Sequence, residues 1–202
     1  MAEARLRGLV LAGGQSRRMG ADKAAVLVEG RTLLARSVEL LTPLTTSVHV
    51  AIRADQATDQ LRQQFPLIID VADVAGPAAA LLAARLHDPD CAWLVLACDM
   101  PGLDPAALEA LVAARDPGRG GTAWRGTGGD LPEPLCAIWE PATLVRLAAA
   151  TREAGNAPVS PRALLADADP LLLNPVRPAA LTSVNTPADL HHYLEHTYGH
   201  KP

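Results

Sequence analysis

The most constraining stretch of the chain is Trp93-Leu94-Val95-Leu96-Ala97-Cys98-Asp99, an apolar run that stops on a carboxylate. It has no polar face, so it predicts a strand buried on both sides, as in the middle of a parallel sheet. Met100-Pro101 then turn the chain, and Asp104-Pro105 supply a cap and a first-turn proline for a helix. A second apolar run, Leu9-Val10-Leu11-Ala12, breaks at Gly13-Gly14 and continues into Arg17, Arg18, Gly20 and Lys23. Glycines let a backbone turn tightly after a strand, and the N–H groups of such a loop can hold phosphate oxygens beside the cations. A tight turn with solvated basic residues is the competing reading of the same residues.

Between and beyond these runs, strands alternate with helices. Helical patterns are expected over 33–41, 55–64, 77–86, 141–154 and 187–196, the last capped by Thr186, with a short helix opening at Ser160-Pro161. Strands are expected over 48–52, 66–71, 134–139 and 170–173, and residues 125–130 read as a mobile loop. This order implies a mostly parallel sheet covered on both faces, with ligands gathering outside the carboxyl ends of its strands. Gly13-Gly14, Arg53, Asp70 and Asp99 all fall at such ends.

Composition narrows the function classes. The chain has 202 residues, suited to one domain over 1–202, and only 3% are aromatic, so the core is built from aliphatic residues. A formal net charge of −4 and few aromatics argue against nucleic-acid binding. No apolar run approaches a membrane span and the N-terminus lacks the apolar core of a signal peptide, so a cytoplasmic protein without membrane contact is expected. Cys91, Cys98 and Cys136 form no CxxC pair and read as buried thiols. His192, His196 and His200 recur every four residues, a spacing that suits either Zn²⁺ or Ni²⁺ or a solvated helix face.

The glycine loop excludes two familiar phosphate motifs. No Gly-Lys pair exists for a P-loop, and Gly13-Gly14 followed by Gly20 does not give Gly-x-Gly-x-x-Gly. From Leu11 to Lys23 it instead resembles the L-A-G-G-x-S-x-R-M-G-x-D-K opening of the nucleotidyltransferases, most closely the molybdenum cofactor guanylyltransferases. Cys98-Asp99-Met100-Pro101 matches that family's C-D-x-P, Gly76-Pro77 its G-P-L-x-G start, Pro134-Leu135 its P-x-P-L strand, and Asn185-Thr186-Pro187 with Asp189-Leu190 its N-T-P-x-D/E-L ending.

The resemblance implies a Rossmann-like, three-layer α/β/α fold of the nucleotide-diphospho-sugar transferase type. It implies transfer of GMP from GTP to the terminal phosphate of molybdopterin, with pyrophosphate release. Leu11, Ala12, Gly13 and Gly14 would hold the nucleotide, Arg18 and Lys23 the triphosphate charge, and Asp99 a Mg²⁺ ion. Asp70 falls where the family places a carboxylate on the nucleotide, and Arg53 is a further nucleotide-binding candidate. Asn185 either orients metal and phosphates or belongs to the cap of the last helix. Three positions depart from the pattern: Ala51 for an Asn, Ala80 for a Gly, and Ser183 for the first Asn of N-x-N-T-P. These touch base and acceptor recognition, so a CTP-using transferase and a nucleotide-binding protein without turnover remain alternatives. A monomer or weak homo-oligomer is expected.

Overall fold

The computed structural model describes residues 4–14, 18–126 and 129–199. In chain order its strands are β1 (Leu6–Leu11), β2 (Leu27–Val28), β3 (Arg31–Thr32), β4 (Val48–Ile52), β5 (Leu67–Ile69), β6 (Ala92–Ala97), β7 (Gly121–Arg125), β8 (Pro132–Trp139) and β9 (Leu171–Leu173). The helices are α1 (Leu33–Leu41), α2 (Pro77–His87), α3 (Pro105–Ala113), α4 (Pro141–Ala154), α5 (Pro161–Ala166) and α6 (Pro187–Tyr198). Helices α2 to α6 all open on a proline, whose missing N–H has no partner in a first turn anyway. Side-chain caps fix four starts: Thr32 accepts from Ala35 N–H, Asp104 from Ala107 N–H, Ser160 from Ala163 N–H, and Thr186 from Asp189 N–H.

Seven strands form one sheet in the order β5-β4-β1-β6-β8-β7-β9, while β2 and β3 make a small hairpin. Within the seven-stranded sheet every pairing is parallel except those of β8, which runs against both β6 and β7. All six residues of β6 are buried, with Leu94 and Leu96 on one face and Trp93 and Val95 on the other. The first face packs on Leu34 and Leu41 of α1 and Leu108 and Leu111 of α3; the second packs on Leu81 of α2, Leu144 and Leu147 of α4, and Leu165 of α5. This is the expected layering, and each fully buried leucine contributes about 1.5–3 kcal/mol. Because β1, β4, β5 and β6 run the same way, Gly13, Arg53, Asp70 and Asp99 emerge at one edge.

Three local expectations are corrected. The helix over 55–64 is replaced by 3-10 turns at Ala54–Gln56 and Arg62–Gln64. Asp59 accepts from the Arg62 N–H through its side chain, a local bond that competes with helix propagation. The strand expected to reach Val71 ends at Ile69, since Asp70 N–H still donates to Ile52 C=O but Val71 N–H turns to Ala79 C=O of α2. Residues 121–125 form a strand that the sequence disguises with glycines. A Cβ at Gly120 would lie 2.0 Å from Ala168 C=O, so the close approach of that segment requires glycine. The expected loop over 125–130 is part of the β7–β8 hairpin, closed by Gly126 N–H to Leu131 C=O; Thr127 and Gly128 lie outside the described residues.

Candidate active site

The loop after β1 is fixed from behind. Ala12 N–H donates to Ala51 C=O, continuing the β1–β4 ladder by one residue. At Gly13 the chain passes so close to its neighbours that a Cβ would sit 2.9 Å from Asp70 Oδ2 and 3.3 Å from the Arg53 nitrogen. Glycine is therefore needed here for approach, not for a left-handed turn. Arg53 Nη1 donates to Gly13 C=O, and its Nε and Nη2 form a fork with Asp55 at 3.0 Å each. Arg53 lines the cavity, but its guanidinium is committed to the loop carbonyl and to Asp55. Arg62, 1% exposed, bonds Ala12 C=O, Asp22 and Asp59. Burial works against its charge, but the two carboxylates outweigh that and raise its pKa.

Asp22 caps the 3-10 turn Lys23–Ala25 by accepting from Ala24 N–H at 3.1 Å, and that turn aims Lys23 inward. Lys23 Nζ donates to Asp99 Oδ2 at 3.0 Å and to Asn185 Oδ1 at 2.6 Å. Asn185 is held from two sides. Val184 N–H donates to Asp99 C=O at 2.8 Å, and the Asn185 and Thr186 N–H groups both donate to Asp189 Oδ2 at 2.8 Å. Those bonds hold the Asp189 carboxyl below the usual carboxylate range. The backbone of Asn185 thus belongs to the cap of α6, while its side chain reaches Lys23. Tyr193 OH donates to Pro101 C=O, tying α6 to the turn after β6.

These groups border a cavity of about 630 Å³ whose wall includes Leu11 to Gly14, Lys23, Asp70, Ala79, Ala80 and Asp99. Two carboxylate oxygens in it, Asp99 Oδ1 and Asp70 Oδ1, are buried and have no hydrogen-bond partner among the described residues. Burial pushes the Asp70 carboxyl up to about 6, against the opposing pull of Arg53. Asp99 fits a small hard cation: one oxygen is unpartnered, and a second neutral oxygen donor, Asn185 Oδ1, reaches the same ammonium. Ala51 and Ala80 both stand in the cavity wall, so two of the three departures from the family pattern face the cavity, while Ser183 does not line it.

The remaining expectations separate as follows. Arg18 is exposed and does not line the cavity; its charge acts on Asp189 instead. Arg17 lies outside the described residues. Cys98 is buried, and its thiol is pushed up to about 12, which disqualifies it as a nucleophile near neutral pH. The rings of His192 and His196 lie 4.0 Å apart; His200 lies outside the described residues, among which no cluster of three metal-ligating side chains occurs. Sequence reasoning missed Arg62, because an arginine within a polar stretch reads as surface. The only signal was its position in a segment too polar to pack as a helix beside a sheet.

A family model described as the MobA-like NTP transferase domain matches residues 8–171. The chain belongs to this family. Among its curated relatives, a molybdenum cofactor biosynthesis bifunctional protein of Synechocystis is 29% identical over 184 residues, 91% of this chain and 52% of that protein. A probable molybdenum cofactor guanylyltransferase of Opitutus terrae is 38% identical over 141 residues, 66% of each chain. The chain thus spans about half to two thirds of the length of these relatives. Molybdopterin-guanine dinucleotide biosynthesis protein A from Archaeoglobus fulgidus superposes with a TM-score of 0.76 over 96% of this chain and 99% of its own, at 23% identity. That likeness shows the nucleotide-diphospho-sugar transferase type of fold, and the family match includes every residue that lines the cavity.

Proposed function

We propose that the protein is a Mg²⁺-dependent guanylyltransferase that transfers GMP from GTP to the terminal phosphate of molybdenum-bound molybdopterin. The observation that carries this reading is the convergence of the Gly13-Gly14 loop, Lys23, Asp70 and Asp99 on one cavity. The backbone of Leu11 to Gly14 holds the nucleotide, Lys23 neutralises outer phosphates, and Asp99 with its unpartnered oxygen is the residue to hold Mg²⁺. When bound, that ion supplies Lewis-acid charge stabilisation to the phosphates. The acceptor phosphate attacks the α-phosphorus of GTP and pyrophosphate leaves. The chain's own work is positioning and charge stabilisation, and no protein nucleophile is required. Arg18 is exposed and does not line the cavity, so its role on the triphosphate is the part of this reading that the observed site supports least.

The second reading is a cytidylyl one, left open because Ala51 and Ala80 in the cavity wall remove a side-chain amide and add a methyl where the family pattern has Asn and Gly. Three buried cysteines support a reducing, cytoplasmic setting for the enzyme. The deciding experiment is pyrophosphate release from GTP, CTP and ATP with molybdopterin as acceptor. Release that requires acceptor and is fastest with GTP supports the guanylyl reading. Faster release with CTP replaces it with the cytidylyl one, and tight nucleotide binding without release marks a protein that binds without turnover.

A further inference from the structure

Arg62 does not line the nucleotide cavity, yet it is the most deeply buried arginine among the described residues. A guanidinium in that position needs acceptors on every side, and the choice of acceptors is informative. Nε and Nη2 donate to Ala12 C=O at 3.3 and 3.0 Å; Nη1 and Nη2 donate to the two Asp22 oxygens at 2.6 and 2.9 Å. Nη1 also reaches Asp59 at 3.1 Å, and Asp59 in turn accepts from the Arg62 N–H at 3.0 Å. One planar fork therefore spans both ends of the loop, the residue before its glycines and the residue before Lys23.

The consequence follows from the peptide group itself. In a trans peptide, C=O and the next N–H point in opposite directions. With Ala12 C=O drawn back onto Arg62, the Gly13 N–H is turned to the opposite side, toward the cavity that Ala12, Gly13 and Gly14 line. Arg53 in turn binds Gly13 C=O and fixes the next peptide of the loop. Among the described residues neither glycine N–H donates to a backbone carbonyl. At the other end, Asp22 shares Oδ1 between Arg62 and Ala24 N–H, so the same guanidinium steadies the turn that presents Lys23.

We propose that Arg62 is a positioning residue for the nucleotide: by holding Ala12 C=O and Asp22 together, it keeps the Gly13 amide and Lys23 aimed at the phosphates without touching the ligand. The inference rests on the nucleotide reading above. Lysine at this position keeps the charge but offers one compact head group, which cannot serve a carbonyl and a carboxylate fork together. Arg62→Lys is therefore expected to weaken GTP and inorganic pyrophosphate, each with Mg²⁺, by a similar factor, on the order of tenfold. Asp22→Asn weakens the same clamp from its far end and is expected to act in the same direction by a smaller factor.

The test measures both affinities by calorimetry at a temperature where wild type and variants are fully folded, together with amide hydrogen exchange over residues 12–24 of the ligand-free proteins. Faster exchange confined to that stretch, with matched losses for GTP and pyrophosphate, supports the proposal. Unchanged affinity in a folded Arg62→Lys protein, or exchange that rises equally throughout the sheet, overturns it and leaves Arg62 a fold residue only. Should Arg62→Lys fail to fold, Asp22→Asn decides by the same two criteria. Wild-type protein that binds neither ligand is a different result: it removes the nucleotide reading itself.

Discussion

Asp70 should cost the protein stability at neutral pH. Its carboxyl is pushed up from 3.8 to about 6 by burial, with Arg53 only partly offsetting that. The native state therefore holds this proton more tightly than the unfolded chain does. By linkage, stability falls as pH rises through the window from about 4 to 6, and the full cost is present above 6. At 1.36 kcal/mol per pKa unit, the cost is about 3 kcal/mol at face value. The side chain retains access to the cavity, so solvent screening reduces this to about 1–2 kcal/mol. Asp70→Asn keeps the shape and removes the charge. It is expected to be more stable than wild type by about 1–2 kcal/mol at pH 8, a rise of roughly 2–6 °C in Tm, with the advantage shrinking toward zero at pH 4.5. Urea denaturation of both proteins at pH 4.5, 6 and 8 measures this. Differences in packing are independent of pH and cancel when the gain at pH 8 is compared with that at pH 4.5. A gain of equal size at all three values, or one that grows toward acid, refutes the argument. A carboxylate kept at such cost, unpartnered in the cavity wall, suits a group that a ligand satisfies, so the stabilised variant should bind GTP more weakly.

Other expectations concern the phosphate end of the cavity. Asp99→Asn should keep the fold but lose most Mg²⁺-dependent turnover, since the lost charge is worth on the order of several kcal/mol to a bound metal; near-normal activity in the folded variant would remove the metal assignment. Lys23→Ala should weaken GTP by about 1.5–3 kcal/mol and GMP by less, because only the triphosphate reaches its ammonium; equal losses in calorimetry would place Lys23 away from the outer phosphates. Competition among GTP, CTP and ATP for the Mg²⁺-loaded protein should favour GTP, with discrimination reduced about three- to twelve-fold by the loss of one net hydrogen bond near Ala51 or Ala80. CTP binding more tightly than GTP would overturn the guanylyl reading.

The strands that carry the site were legible because they are apolar on both faces. Residues 93–99 admit no other reading, and the positions of Gly13, Asp70 and Asp99 follow once the sheet is parallel. The helix caps at Asp104 and Thr186 were equally plain, since their bonds are local. What sequence concealed depends on distant partners. The turns over 54–64 look helical by composition, but the geometry there is set by Asp59 and by where Arg62 must reach. Strand β7 was hidden by glycines whose need arises from Ala168, far along the chain. Arg53 lines the cavity as its place after a strand suggests, but only the structure shows its guanidinium bonded to Gly13 and Asp55.

The contact between Lys23 and Asn185 joins residues 162 positions apart. On a ribosome, β1, β4, β5 and β6 emerge early and in an order that lets neighbouring strands pair as they appear. The glycine loop, Lys23, Asp70 and Asp99 are all synthesised before Asn185, which is held where the Val184 amide meets Asp99 and α6 meets Pro101. The site is therefore complete only once the last helix has been made, and a ligand that binds only the completed site favours the folded state by mass action.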